Sequence, residues 1–313
     1  MAGLFQVFFW LSRDNLVTLN ENSFEKIESL SYSPFEGYDK NLLSSEQIAY
    51  DVNLFENFTN KLRTYGTLEA YKILQSSKDS NLPIDLGLWI GGDLQENNLE
   101  IQRALEILKE YPNRIQSVIV GNEVLLRKEL EPLELYAYID FMKTHTKKPV
   151  TTAETWDIWE KNPQLASHVD FLTIHILPYW EKVPIERYNE FIIEKYSVVE
   201  ELFPNRKIVI GETGWPSHGY NNNKAVPSIK NQAQAIRGFV NLAHEKGWHY
   251  NIIEALDQPW KGYDEGNVGQ YWGIFTTDRA LKFQLAGEVE LNKYWLYQMI
   301  AAIIIGALLT LFG

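Results

Sequence analysis

Two glutamates occupy matching places in this chain. Glu123 follows Ser117-Val118-Ile119-Val120-Gly121-Asn122, and Glu212 follows Ile208-Val209-Ile210-Gly211. Runs rich in β-branched residues favour strands, so both carboxylates are expected to project from strand ends. A facing pair of carboxyl groups is what retaining glycosidic cleavage requires: one attacks the anomeric carbon while the other, protonated, donates to the leaving oxygen. The two roles need different surroundings. The acid must hold a proton near neutral pH, through burial or a negative neighbour, and the nucleophile must stay ionised beside cationic or hydrogen-bonding groups. Arg63 is a candidate for that support, and Asn122 for a hydrogen bond to a sugar 2-hydroxyl, which strengthens toward the transition state. A single glutamate at a strand end is more often a salt-bridge partner or a helix-terminal charge. Two of them, each behind a glycine-containing strand end, favour chemistry.

Eight short β-rich runs recur along the chain, at residues 29–33, 62–65, 84–90, 115–121, 149–153, 169–176, 207–211 and 250–255. Between them lie stretches of helical periodicity, such as Ile48, Val52 and Phe55, or Ile101, Leu105 and Leu108. Strands alternating with helices imply parallel pairing through crossovers. Eight units in one uninterrupted domain, residues 28–292, predict a (β/α)8 TIM barrel rather than an open sheet. Such a barrel carries its chemistry at the C-terminal strand ends. The residues there are Arg63-Thr64-Tyr65, Asn122-Glu123, His175 to Trp180, Glu212 to Ser217, and Glu254 to Lys261. Tyr65, Tyr179, Glu254, Trp260 and Lys261 thereby become substrate-binding candidates. Trp215, held by Pro216, is a candidate stacking wall or part of an ordinary turn. His175 is either a core histidine or a hydrogen-bonding group at the substrate's edge. Glu154 and Asp257 are further rim carboxylates. The remaining histidines lack metal-ligand spacing, and no glycine-rich phosphate loop follows any strand, so no metal, nucleotide or other cofactor is expected.

With 29 basic and 41 acidic residues, the net charge is −12, which gives the chain no electrostatic attraction to nucleic acid. Without cysteine there is no thiol catalysis and no disulfide. The 10 Trp and 17 Tyr suit sugar stacking as well as core filling. Residues 294–313 carry no charge and are long enough to span roughly 30 Å as a helix. They predict a C-terminal transmembrane helix, with Tyr294, Trp295 and Tyr297 as its interfacial belt. Residues 1–27 read as an N-terminal extension whose apolar stretch 4–11 is a remnant of an anchor. This organisation suggests a segment of a larger membrane protein, tethered to the cell membrane with its barrel outside the cytoplasm.

Residues 208–219, IVIGETGWPSHG, resemble the signature of glycoside hydrolase family 17, the β-1,3-glucanases, and Val120-Gly121-Asn122-Glu123-Val124 resembles its acid/base motif. The strand-eight sequence IEALDQPWK, the later YWGIF, the early Ser31-Tyr32-Ser33-Pro34-Phe35 and HILPYWE are similar to the bacterial, membrane-associated branch. The resemblance covers residues 28–285. It implies a barrel, a retaining mechanism on β-1,3-glucan, Glu212 as nucleophile and Glu123 as acid/base. It further implies hydrolysis or glucanosyl transfer, and a glycosyltransferase domain or protein as a partner. Plant members have a glutamate followed three residues later by a lysine beyond strand eight. Here Gln258 takes the first place, leaving Lys261 as the contributor. Two other readings compete: a retaining hydrolase of the same clan acting on another β-glucan or on mannan, and an inactive glucan-binding barrel attached to a synthase.

Overall fold

The computed structural model describes residues 16–19, 26–292 and 294–312. Each of the eight β-rich runs contributes a strand: β1 Leu30–Ser31, β2 Leu62–Arg63, β3 Ile84–Leu88, β4 Ile115–Asn122, β5 Val150–Thr155, β6 Leu172–His175, β7 Ile208–Thr213 and β8 His249–Ile252. They pair in parallel in sequence order, and β8 returns to β1 through Ile252 and Leu30, so the barrel closes without a free edge. Seven helices lie between successive strands: α1 Ser45–Phe55, α2 Thr67–Ser76, α3 Leu94–Glu110, α4 Pro132–His145, α5 Trp156–Lys161, α6 Tyr188–Leu202 and α7 Ile229–Lys246. Local signals fix several of their ends. Ser44 and Ser228 accept backbone N–H bonds at the starts of α1 and α7, and Gly247 closes α7 in the left-handed conformation. After β8 the eighth helix is replaced by two 3-10 turns, Pro259–Gly262 and Asn267–Tyr271.

Residues on the strands alternate between two environments. Leu30, Leu62, Leu86, Val118, Ile174 and Ile210 join Ile48, Val52, Ile73, Ile107, Ile139 and Phe239 of the helices in one apolar core. Burying each such side chain stabilises the fold by roughly 1.5–3 kcal/mol. The intervening positions are polar and cross-linked. Ser29 and Ser31 bond Asn251 at 2.7 Å each, and Thr151 bonds Thr173 at 3.1 Å. A polar interior of this kind is costly unless satisfied, and it is what allows charged groups to stand at the barrel mouth.

Three expectations need correcting or bounding. Leu16–Thr18, assigned to an N-terminal extension, pairs antiparallel with Glu288–Glu290, so these residues belong to the folded domain through backbone hydrogen bonds. The apolar stretch 4–11 lies outside the described residues. The charge-free C-terminal segment does form a helix, α8 Trp295–Phe312. Among the described residues, however, no helix is long and apolar enough to cross a membrane.

Candidate active site

Glu123 directly follows β4 and Glu212 lies near the end of β7, and both face one cleft of about 470 Å³. One carboxylate oxygen of each, together with a ring nitrogen of His175, lie within 4.8 Å of one another. The β4 end turns sharply to achieve this. Gly121 has φ +82° and a Cβ there would meet Val124 Cγ2 at 2.5 Å. Glu123 itself sits at φ +56°, a conformation costly for a side chain with a Cβ and frequent at functional sites. Two buried contacts hold the turn. The Glu123 N–H bonds the Ala153 carbonyl at 2.7 Å, and Glu154, fully buried at the end of β5, accepts the N–H groups of Leu125 and Leu126 at 2.7 and 3.3 Å.

Arg63, 2 % exposed on β2, reaches across the barrel interior. Its Nη1 donates to the Gly211 carbonyl at 2.5 Å and lies 3.6 Å from Glu212 Oε1; its Nη2 donates to Asn122 Oδ1 at 2.7 Å. Because a guanidinium can only donate, the Asn122 oxygen is committed to Arg63, and the amide NH2 remains to donate elsewhere. Gly211 permits this approach. A Cβ at that position would meet Thr173 Cγ2 at 2.4 Å and press on Arg63 and His175. His175, buried on β6, bonds Glu123 Oε1 through Nδ1 at 2.7 Å, while its Nε2 faces Arg63 Nη1 at 3.3 Å and Glu212 Oε1 at 3.7 Å. Tyr65 packs over the Arg63 guanidinium and donates to Ser31 Oγ at 2.9 Å. Burial, reinforced by the charge of Glu212, raises its phenol well above the ordinary value.

The electrostatics differ from the sequence expectation at Glu123. Burial pushes its carboxyl up, but the His175 hydrogen bond and the nearby Arg63 and Arg127 guanidinium groups outweigh burial, so the group lies below the ordinary carboxylate range. Its neighbour Glu154 is pushed up to about 8 by burial, despite two backbone donors. Glu265, absent from the sequence candidates, also lines the cleft. Burial raises its carboxyl, and Glu212 and Glu123 add to this against the pull of Lys261.

Several candidates take structural places instead. Tyr179 is fully buried, donates to the Tyr220 carbonyl at 2.6 Å and packs edge-on against Trp180, Trp215 and Trp272. Trp215 is likewise fully buried, with Nε1 bonded to the Val226 carbonyl at 3.0 Å. It is an internal prop of the β7 loop, not an exposed stacking wall. Glu254 is 1 % exposed and paired with buried Lys261 at 2.8 Å, a tie beneath the rim. Its carboxyl is pushed up to about 7 by burial, which the lysine opposes. Trp260 is half-buried on the rim beside Phe35, with Lys40 Nζ 4.3 Å from its ring centre. The aromatics lining the cleft are instead Trp156, Trp180 and Trp272, of which Trp272 is itself buried. Trp180 and Trp272 stack with centres 5.9 Å apart. Both stand in motifs visible in the sequence, HILPYWE and YWGIF; which aromatic of each motif lines the cleft is set by the fold. Glu123, His175 and Glu212 also form the one group of metal-type donors among the described residues, although Arg63 already sets a fixed positive charge against two of them.

A closed parallel barrel with two carboxylates converging at the ends of its fourth and seventh strands defines a glycoside hydrolase domain. The chain belongs to glycoside hydrolase family 17: the BtgE/BtgC glycoside hydrolase domain matches residues 29–273. It is similar to a glucan 1,3-beta-glucosidase of Schizosaccharomyces pombe, 27% identical over 256 residues that cover 75% of this chain and 79% of that protein. It is also similar to a probable family 17 glucosidase of Saccharomyces cerevisiae, 25% identical over 80% of this chain and 66% of the relative, so it spans just under two thirds of that protein's length. Among solved structures, a family 17 beta-1,3-glucanosyltransferase from Rhizomucor miehei is 25% identical with a TM-score of 0.75, covering 82% of this chain and 97% of that one. An active-site mutant of that transferase is known in complex with laminaritriose. These likenesses do not single out the bacterial branch expected from the strand-eight sequence, and they lend no support to an attached glycosyltransferase.

Proposed function

We propose that this domain cleaves or remodels β-1,3-glucan with retention of configuration, Glu212 acting as nucleophile and Glu123 as acid/base. The observation that carries the reading is the closeness of the two carboxyl groups, with oxygens within 4.8 Å. A retaining pair stands about 5–5.5 Å apart, whereas an inverting pair leaves about 6.5–9.5 Å for a water. Arg63 Nη1 lies 3.6 Å from Glu212 Oε1, and with its oxygen bonded to Arg63 the Asn122 amide has its NH2 left to donate to the 2-hydroxyl of the sugar under attack. Glu123 needs a proton for the first step. Substrate filling the cleft removes water from a carboxyl already under strong burial, shifting it toward the protonated form. Once Glu212 is esterified its negative charge is gone, which favours Glu123 as the base of the second step.

Cleavage of laminari-oligosaccharides tests the reading. The first-formed reducing end should be β-configured, and products longer than the substrate would mark transfer to a sugar hydroxyl in place of water. Equal activity on β-1,4-linked oligomers would favour the broader substrate reading, and no turnover at all would favour the glucan-binding one.

The barrel is proposed to work outside the cytoplasm, held at the membrane by α8. Leu296, Tyr297, Ile300, Ile304, Ile305, Leu308 and Leu309 are all solvent-exposed on this charge-free helix, an apolar surface that water disfavours. The purified full chain should float with phospholipid vesicles and a variant ending at residue 292 should not. Equal behaviour of the two would remove α8 as the attachment.

A further inference from the structure

His175 stands between the two carboxylates, and the proposal below rests on Glu123 being the acid/base. Among the described residues, the charged groups that meet the imidazole nitrogens are Glu123 just beyond β4, Glu212 from β7 and Arg63 from β2. Around Glu123 stand His175, Glu212, Arg63, Arg127, Glu154 and Glu265. The imidazole has two nitrogens and three neighbours, and the donor inventory settles how they are matched. Arg63 carries only N–H groups. One hydrogen of Nη1 is used on the Gly211 carbonyl at 2.5 Å, and Nη1 lies 3.3 Å from His175 Nε2. Nε2 must therefore be the unprotonated, accepting nitrogen, since an N–H there would face another N–H. Glu212 Oε1 is farther from Nε2, at 3.7 Å, outside hydrogen-bond range. The ring proton consequently sits on Nδ1, which is 2.7 Å from Glu123 Oε1.

We propose that Arg63 locks His175 in its Nδ1–H tautomer, so that Oε1 of Glu123 is permanently an acceptor and Oε2 is the oxygen that carries and delivers the catalytic proton. In the first step the Oε2 proton passes to the glycosidic oxygen as its bond to the anomeric carbon breaks. The bonding electron pair stays on that oxygen, and a Glu212 carboxylate oxygen forms the new bond to the carbon. The Nδ1–H bond to Oε1 is present before and after the transfer, and no proton moves along it. His175 is a positioning residue. By donating to Oε1 it keeps the other oxygen turned to the cleft, and it stabilises the carboxylate left after delivery. The opposite arrangement, a proton on Oε1 donated to Nδ1, would require Nε2–H against the Arg63 guanidinium.

Two measurements decide this, one of them independent of turnover. Nitrogen-15 NMR of the full chain labelled at histidine, with the His175 signals assigned by difference from His175→Ala, should show a protonated Nδ1 and a bare Nε2 at neutral pH. A protonated Nε2, alone or with Nδ1, overturns the proposal. In kinetics on laminari-oligosaccharides, His175→Ala removes a donor that favours the ionised form of Glu123. The alkaline limb of kcat/KM should therefore move to higher pH, by about one unit for one hydrogen bond. A limb that stays in place or moves down overturns it, because a merely structural role lowers kcat without moving the limb. Should His175→Ala fail to fold, the six histidines of the wild-type protein can be assigned by substituting the other five, and the tautomer alone decides. A wild-type protein inactive on the oligosaccharides would refute the functional reading while leaving the tautomer measurement to stand by itself.

Discussion

A strand-end glutamate means little until its neighbours are known, and here the neighbours separate the two carboxylates. Glu212 has the Arg63 guanidinium 3.6 Å away, whereas Glu123 has an imidazole hydrogen bond at 2.7 Å. Glu212→Gln is expected to abolish turnover, because the amide cannot form the glycosyl ester. Glu123→Ala should keep activity on substrates whose leaving group needs no proton, and azide should restore it as a β-configured glycosyl azide. An α-configured product from that variant would reverse the two roles. The same oxygens and His175 form a metal-like cluster, but Arg63 competes for that space electrostatically, so dialysis against a chelator should leave kcat unchanged; loss restored by one divalent ion would place a metal in the mechanism. The strand-end positions of Glu123, Glu212 and Asn122 were legible from the sequence because a strand end next to glycine is a local pattern, and that of Arg63 because it ends a β-rich run. Glu265 was not. It lies beyond β8 in irregular chain, and only the folded path of the 3-10 turns carries it into the cleft.

At the scale of elements, the alternation of β-branched runs with helical periodicity located all eight barrel strands, since both periods survive in the sequence whatever the tertiary packing. The missing eighth helix was not legible, because Pro259 and the glycines at 262, 266 and 269 say where a helix stops and not how two short turns replace it. The aromatic positions failed for a related reason. In Pro178-Tyr179-Trp180 two adjacent aromatics compete for the cleft and the interior, and in Gly214-Trp215-Pro216 a lone Trp sits in a turn; the sequence has no period at either place to choose the side. Tyr179 and Trp215 went inside, where each spends its polar hydrogen on a backbone carbonyl. Trp215→Phe is accordingly expected to lower stability by about 1–3 kcal/mol through the lost hydrogen bond and volume, leaving KM for laminari-oligosaccharides unchanged. A several-fold rise in KM at unchanged Tm would return Trp215 to the substrate.

The molecule as a whole buries more carboxyl groups than its surface chemistry requires, and this gives its stability a direction in pH. Glu154 is pushed up to about 8, Glu254 to about 7 and Glu69 to about 7, each mainly by burial. For such a group the folded state holds its proton after the unfolded chain has released it. Stability is thus undiminished below the ordinary value of 4.5, falls as pH rises through the window up to about 7 or 8, and is constant beyond. Carboxyl groups held low, such as Glu123 and Asp157, act in the opposite sense, but their window lies below the ordinary value and does not overlap. The wild-type Tm should therefore decline between pH 5 and pH 8. Glu69 offers the cleanest test of the cause. Its Oε1 accepts the N–H groups of Tyr65 and Gly66 together, so Glu69→Gln can keep both bonds through its amide oxygen while removing the titration. Each unit of pKa separation is worth about 1.4 kcal/mol, and a kcal/mol moves Tm by roughly 2–4 °C in a domain of this size. Differential scanning calorimetry should show a flatter decline for Glu69→Gln than for the wild type, the gap opening between pH 5 and pH 7 and then holding steady. Parallel curves across that window would mean that Glu69 is already ionised in the folded state, and that its two backbone donors outweigh its burial.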